Sequence, residues 1–402
     1  MASVESVPDA LSRLRPEPWP QAASEPAPDI GPGRKIVLIS DHDYRTARRA
    51  NMHPIADALV RLGHDVTFIS VRFSALTRLK GGDSRSFLWE RANKPELSNN
   101  VRCYLWKTPF HPINLNNRVL NALSAPLYRL YGRMPCQFLD DALKSAAHVI
   151  VESGLGVVLL RRARALNHAV KIAYLASDDL ATVGVHPCVQ DELAKASRVI
   201  NFACVPSRRM APGFDWAGER LFFVPHGFQH ADFAAPCPNP YDTELNAVSV
   251  GSMLFDAGFF QAAAERFPNI RFHVIGAGQR FDAPGNVIQH AEMKFAATLP
   301  YIRHATFGVA PYRPSGQCDY ISDTSMKLMQ YEYCGIPAVC PAFATGDNPN
   351  RFGYAPGDPA SIATAVEGAL ARRHDIKPRR FLSWEDVACR LLDPREFADT
   401  VI

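Results

Sequence analysis

Lys35-Ile-Val-Leu-Ile-Ser40 is an unbroken apolar run rich in β-branched residues, and together with the thirty residues after it this run decides the fold. Ile55, Leu59 and Leu62 recur at helical spacing, Gly63 supplies a stop, and Asp65-Val-Thr-Phe-Ile-Ser70 is a second apolar run. A strand without a polar face needs cover on both sides, which a parallel sheet between two helical layers provides. The stretch therefore reads as a βαβ unit. Further strand candidates at 101–106, 148–151, 171–175, 199–203 and 221–224 are separated by helical stretches, and this alternation specifies a mostly parallel, doubly wound sheet.

Ala234 to Glu244, with Pro236, Pro238 and Pro240, reads as a linker. Beyond it the pattern restarts, with strand candidates at 247–251, 270–276, 287–289, 306–310 and 338–340. The expected fold class is α/β, with two Rossmann-like doubly wound domains facing a cleft. Residues 1–34 hold seven of the 32 prolines and are set aside as a disordered leader. Residues 35–233 form the N-terminal domain, 234–244 the linker, 245–380 the C-terminal domain and 381–402 a helical segment.

The 402 residues suit two or three domains, and 44 Lys plus Arg against 40 Asp plus Glu leave a net charge of only +4. That weak, dispersed balance argues against nucleic acid as a partner. No run reaches the roughly 18 apolar residues of a spanning helix, and residues 1–34 lack a signal pattern, so a cytoplasmic protein is expected. The nine cysteines stand singly, without a CxxC pair, which favours reduced, mostly buried thiols over disulfides or a zinc site.

Ligands of open α/β sheets bind beyond the carboxyl ends of the strands. In the C-terminal domain those loops carry Gly251-Ser252-Met253, then Gly276-Ala277-Gly278, then Glu292 and Met293, then Tyr312 and Arg313 before a polar loop from 315 to 322. A GxG alone is weak and lacks the third glycine of the dinucleotide fingerprint, which argues against a dehydrogenase. The strongest stretch is Asp323-Thr-Ser-Met-Lys-Leu-Met-Gln330, where Asp323, Thr324 or Ser325 caps a helix. Its free N–H groups and positive dipole end suit a diphosphate, and Lys327 adds a full charge.

The N-terminal strand, the helix ending Leu62-Gly63-His64-Asp65-Val66, the Val224-Pro225-His226-Gly227 turn, the Ile275-Gly276-Ala277-Gly278 turn and the Met326-Lys327 to Gly335-Ile336-Pro337 helix together resemble the GT-B nucleotide-sugar glycosyltransferases. The resemblance spans about 35–395. More narrowly, the chain is similar to the glucuronosyltransferases of xanthan assembly. That resemblance implies inverting transfer of glucuronate from UDP-glucuronate to a polyprenyl-diphosphate-linked mannosyl-cellobiose, making a β-1,2 linkage in exopolysaccharide synthesis. It implies a peripheral protein on the inner face of the cell membrane, with the acceptor in the N-terminal domain. It also implies that Glu292 and Met293 lie near uridine, with Tyr312 beside them, and that Met326, Lys327 and Gln330 surround ribose and diphosphate. The turn usually carries Asn where this chain has His226, and the two glutamates typical of retaining members are replaced by Asp319 and Lys327.

An inverting transfer needs a base opposite the leaving group. Ala176-Ser177-Asp178-Asp179 comes directly after the strand candidate 171–175, so Asp178 or Asp179 is the expected base, the alternative for either being a helix cap. No DxD triplet lies in a nucleotide-facing loop, so no metal or other cofactor is expected, with Lys327 and the helix start stabilising the leaving diphosphate. His42 and Asp43 are candidates for the acceptor side. Residues 117–134 combine Val119, Leu120, Leu123, Leu127, Leu130, Tyr131 and Met134 at helical spacing with Arg118, Arg129 and Arg133, with Pro126 expected to break or begin a helix. This segment reads either as a membrane-surface helix or as a core helix. Competing readings of the whole are a GT-B sugar-nucleotide epimerase, which needs no acceptor, and a non-catalytic UDP-sugar binder.

Overall fold

The computed structural model describes residues 31–402 except 48, 81–82, 179, 181–183 and 315–318, with backbone alone at 78–80. The leader up to residue 30, Asp179 and the start of the 315–322 loop thus lie outside the described residues.

Eight strands form the first sheet: β1 (Lys35–Ser40), β2 (Asp65–Ser74), β3 (Glu96–Ser98), β4 (Val101–Thr108), β5 (His148–Glu152), β6 (Lys171–Leu175), β7 (Phe202–Val205) and β8 (Leu221–Phe223). Their order is β3-β4-β2-β1-β5-β6-β7-β8, and only β3 runs antiparallel to its neighbour. Six parallel strands form the second: β9 (Asn246–Val250), β10 (Arg271–Ile275), β11 (Val287–His290), β12 (Phe307–Val309), β13 (Ala338–Pro341) and β14 (Arg351–Tyr354), in the order β11-β10-β9-β12-β13-β14.

Burial on both faces explains the unbroken apolar runs. In β1, Val37 and Ile39 join the core on one side of the sheet, while Ile36 and Leu38 join the core on the other. In the second sheet Val248, Ile275 and Cys340 line one face and Ala247, Val274 and Val339 the opposite one. The closing helix Trp384–Leu392, fixed by a Ser383–Asp386 capping box, returns to the first sheet, where Trp384, Val387 and Leu391 pack with Ile36, Leu38 and Leu59. Gly227 is required by this return, because a Cβ there would lie 2.6 Å from a Trp384 ring carbon.

Three sequence expectations change. The seventh strand begins at Phe202 because Ser197–Val199 prolongs the helix Cys188–Ala196 as a tighter turn. Two short strands carried no readable pattern: β3, whose Leu97 is exposed, and β14, which contains Gly353. Pro126 neither begins nor breaks a helix but sits inside Arg118–Arg129. The carbonyl that proline leaves unpaired belongs to Ala122, on the solvent side, where water can satisfy it.

The strand order reverses between β1 and β5 in the first sheet and between β9 and β12 in the second. Such switch points open a crevice at the carboxyl edge, and the candidate residues cluster at both.

Candidate functional site

At the second sheet's switch point, four loops that are separate in sequence converge. Leaving β9, Gly251 has a φ of +90° and Leu254 one of +49°, and this sharp turn leaves Ser252 and Met253 exposed. The turn after β10 is packed against its neighbours: a Cβ on Gly278 would be 3.2 Å from the Ser252 Cβ, and one on Gly276 would be 3.6 Å from the Glu292 Cα. The Arg313 N–H donates to the Leu254 carbonyl at 2.7 Å, tying the loop after β12 to the first. Glu292 is exposed and Met293 half-buried beside this group.

The helix Met326–Cys334 starts at the same place. Ser325, and neither Asp323 nor Thr324, is its N-cap, accepting from the Leu328 N–H, while its hydroxyl also meets the Tyr312 hydroxyl at 2.5 Å. Tyr312 is buried, and its ring lies beneath Lys327, whose ammonium is 5.4 Å from the ring centroid. Tyr312 therefore supports the cap and the lysine from below. Lys327 Nζ donates to Ser249 Oγ at 3.4 Å, and among the described residues no carboxylate pairs with it. Burial pushes its pKa down to about 7. Met326 and Gln330, one turn apart and both half-buried, flank it. Gly335, in the left-handed region at φ +68°, closes the helix. Its underside is anchored by Glu332, which Arg351 and Arg379 both engage, while Arg351 also donates to the Ser322 carbonyl.

At the first sheet's switch point, Asp178 stands two residues beyond Ala176, in the turn that leaves β6. Its backbone N–H donates to Ser153 Oγ at 3.0 Å. The carboxylate is open to solvent but recessed among protein atoms. That desolvation, then the charge of Glu152, raises it to about 6. Asp43 does not line the acceptor side: it is fully buried and paired with Arg45, whereas His42 is exposed in the same loop. Sequence reading missed Glu152, Asp41 and Arg72. Arg72 lies at a bulge in β2, has a φ of +60°, and reaches Asp41 at 3.4 Å. The available signal was a carboxylate closing the otherwise apolar strand His148-Val-Ile-Val-Glu152 at the switch point.

The two sheets' carboxyl edges meet at the segment before the helix Met326–Cys334. His226 Nδ1 bonds the Thr324 carbonyl at 3.2 Å, and its Nε2 pairs with Asn51 Nδ2 at 3.0 Å. Ser207 Oγ donates to Asp323 at 2.6 Å. His226 thus has a definite place, joining the cap of one domain's first helix to the approach of the other domain's helix Met326–Cys334.

The sequence is 39% identical over 382 residues to a UDP-glucuronate:glycolipid 2-beta-glucuronosyltransferase of Xanthomonas campestris pv. campestris, covering 94% of each chain. The chain belongs to the GumK glucuronosyltransferase family. Consistently, the model of the glucuronosyltransferase GumK N-terminal domain matches residues 38–206. The family's two-domain GT-B fold is echoed by Anabaena HepE in complex with UDP and glucose (TM-score 0.54, 11% identity, 90% of this chain and 99% of that one). An α,α-trehalose 6-phosphate synthase from Burkholderia multivorans shares it as well (TM-score 0.50, 13% identity, 90% and 93%). Within the family framework, the ordered series of weak sequence signals outlined the whole chain, although each alone was ambiguous.

Proposed function

We propose that this glucuronosyltransferase moves glucuronate from UDP-glucuronate, with inversion, onto a polyprenyl-diphosphate-linked mannosyl-cellobiose in xanthan-type exopolysaccharide synthesis. The observation that carries the reading is Lys327: a half-buried, desolvated ammonium without a carboxylate, at a capped helix start, is costly unless an anionic ligand completes it. Ser252, Met253, Gly276, Glu292 and Met293 would hold the nucleoside, and Met326, Lys327 and Gln330 the ribose and diphosphate, with Tyr312 as support.

Across the crevice Asp178 would take the proton of the acceptor hydroxyl as its oxygen forms the new bond to the anomeric carbon. The bond to UDP breaks and its electrons leave on the β-phosphate. There Lys327 and the free N–H groups of the helix start would stabilise the developing charge. Asp179, the next residue in the sequence, is the alternative base. Charge stabilisation by Lys327 makes the reaction independent of a divalent metal.

The lipid acceptor requires contact with a bilayer, for which Arg118–Arg129 and the turn after it are the proposed surface. Leu123 and Val119 are 73% and 67% exposed, Leu120, Leu127 and Leu130 about half exposed, and Arg118, Arg129 and Arg133 exposed beside them. This favours a membrane-surface helix over a core helix. No helix of the described residues is long and apolar enough to cross a membrane.

The test is transfer of radiolabelled glucuronate from its UDP ester to lipid-linked acceptor, in EDTA. The expected result is acceptor-dependent product whose yield EDTA leaves unchanged. Asp178→Asn abolishes transfer and spares UDP binding; full activity of that variant would discard the assignment, and acceptor-independent conversion of the nucleotide sugar would favour an epimerase.

A further inference from the structure

Behind Asp178 lies a second carboxyl group that the transfer step itself does not use. Glu152 ends β5, the strand between β1 and β6, and is 6% exposed. Its two oxygens accept from hydroxyls on either side, Ser40 Oγ at 2.6 Å and Ser177 Oγ at 3.0 Å. Ser40 is the last residue of β1. Ser177 immediately precedes Asp178, and Ser153, next to Glu152, accepts from the Asp178 N–H. Glu152 therefore holds the turn of Asp178 at Ser177 and ties it to the end of β1 through Ser40, while its neighbour Ser153 holds the Asp178 N–H.

No cation among the described residues pairs with Glu152. A buried carboxylate served only by hydroxyls is expensive for stability, and an apolar or amide side chain would fill the site more cheaply. Such a cost is typical of groups kept for chemistry. The charged groups around it are few. From the loop after β1, Asp41 adds a like charge, its own carboxylate held by the Leu155 N–H and by Arg72 of β2. From the turn after β6 comes Asp178. Among the described residues the cations on this side are already engaged, Arg72 with Asp41 and Arg85 with Asp83 and the Asp41 carbonyl, and neither pairs with Glu152 or Asp178.

We infer that Glu152 is a positioning residue that sets the basicity of Asp178, fixing its turn through Ser177 and adding a like charge beside it. The inference rests on Asp178 being the base. Two adjacent carboxyls resist simultaneous ionisation and titrate as a pair. Burial raises both carboxyls, and the proximity of their charges raises Asp178 further, so the pair shares its first proton above the usual carboxylate range. With both ionised, Asp178 is a stronger base than an isolated aspartate, which speeds removal of the weakly acidic sugar proton.

The experiment is a set of pH profiles of kcat and kcat/KM for the full chain, comparing wild type with Glu152→Gln, Ser177→Ala and Asp178→Asn, and UDP binding measured alongside. Gln keeps the volume and hydrogen bonding but removes the charge. Glu152→Gln is expected to bind UDP as wild type does, to lose several-fold in its alkaline kcat plateau, and to shift the acid limb of kcat/KM down by about one pH unit. Ser177→Ala keeps the charge and is expected to lower kcat without moving the limb. A Glu152→Gln profile superimposable on wild type, or lowered uniformly with its midpoint unmoved, overturns the inference while leaving Asp178 in place. Retained transfer by Asp178→Asn instead overturns the reading beneath it.

Discussion

At the scale of single residues, the site is defined by ionisable groups held against their preference. Lys327 is held near 7 where an exposed lysine has 10.5. Between those values the free protein keeps the amine largely neutral, whereas a bound diphosphate favours the ammonium. UDP binding is therefore expected to take up a proton above pH 7, and its affinity to fall as pH rises through that range. The unfolded chain binds this proton throughout the interval, so folding stability rises with pH there. Lys327→Met should weaken UDP by about 2 kcal/mol, roughly thirtyfold, abolish proton uptake and raise Tm at pH 7. Calorimetry in two buffers of different ionisation enthalpy measures the first two effects, and thermal melting the third. Lys327 was readable from the sequence because a cation in the first helical turn opposes the dipole and demands a reason. Glu152 was not, because its meaning depends on Ser40 and Ser177, brought together only by the sheet.

At the scale of elements, the apolar runs, glycine stops and strand alternation specified the parallel core, since a two-sided strand has few other uses. What failed were elements whose identity is tertiary. β3 and β14 are short edge strands, and Pro126 is tolerated in a helix because the carbonyl it leaves unpaired belongs to the exposed Ala122. Periodicity in 117–134 marked a helix without saying which medium its apolar face meets, since a core and a membrane interface demand the same pattern. Exposure excludes the core and supports the proposed membrane surface: Leu123 and Leu127 point outward, while Asn121 and Tyr128 face the protein. Reversing Arg118, Arg129 and Arg133 to Glu is expected to cost at least about 3 kcal/mol, roughly hundredfold, in partitioning onto anionic vesicles. Tm should change little, because surface substitutions of this kind rarely exceed about 0.5 kcal/mol. Liposome flotation measures the loss, and undiminished flotation would discard the membrane role.

At the scale of the molecule, the proposed donor and acceptor groups, Lys327 and Asp178, stand on different sheets, so their alignment depends on the joint between them. At that joint Ser207 and His226, each just beyond a strand of the first sheet, grip Asp323 and Thr324, the two residues before the Ser325 cap, and Arg209 pairs with Asp323 and Asp347 beside them. Burial holds the His226 ring at about 4, so it stays neutral across the range in which Lys327 and Asp178 titrate. In that form Nδ1–H donates to the Thr324 carbonyl and Nε2 accepts from Asn51, and the joint keeps one geometry while the reacting groups change charge. Because both contacts act on a single segment, their effects on the donor site cannot be independent. His226→Ala and Ser207→Ala are each expected to raise the donor KM by about 1 kcal/mol, some fivefold, with a smaller change in kcat. The double variant should fall short of or exceed the sum by at least about 0.5 kcal/mol, as contacts sharing one element do. Strict additivity in a double-mutant cycle on donor KM would mean that the segment is not the element through which the first sheet positions the diphosphate helix.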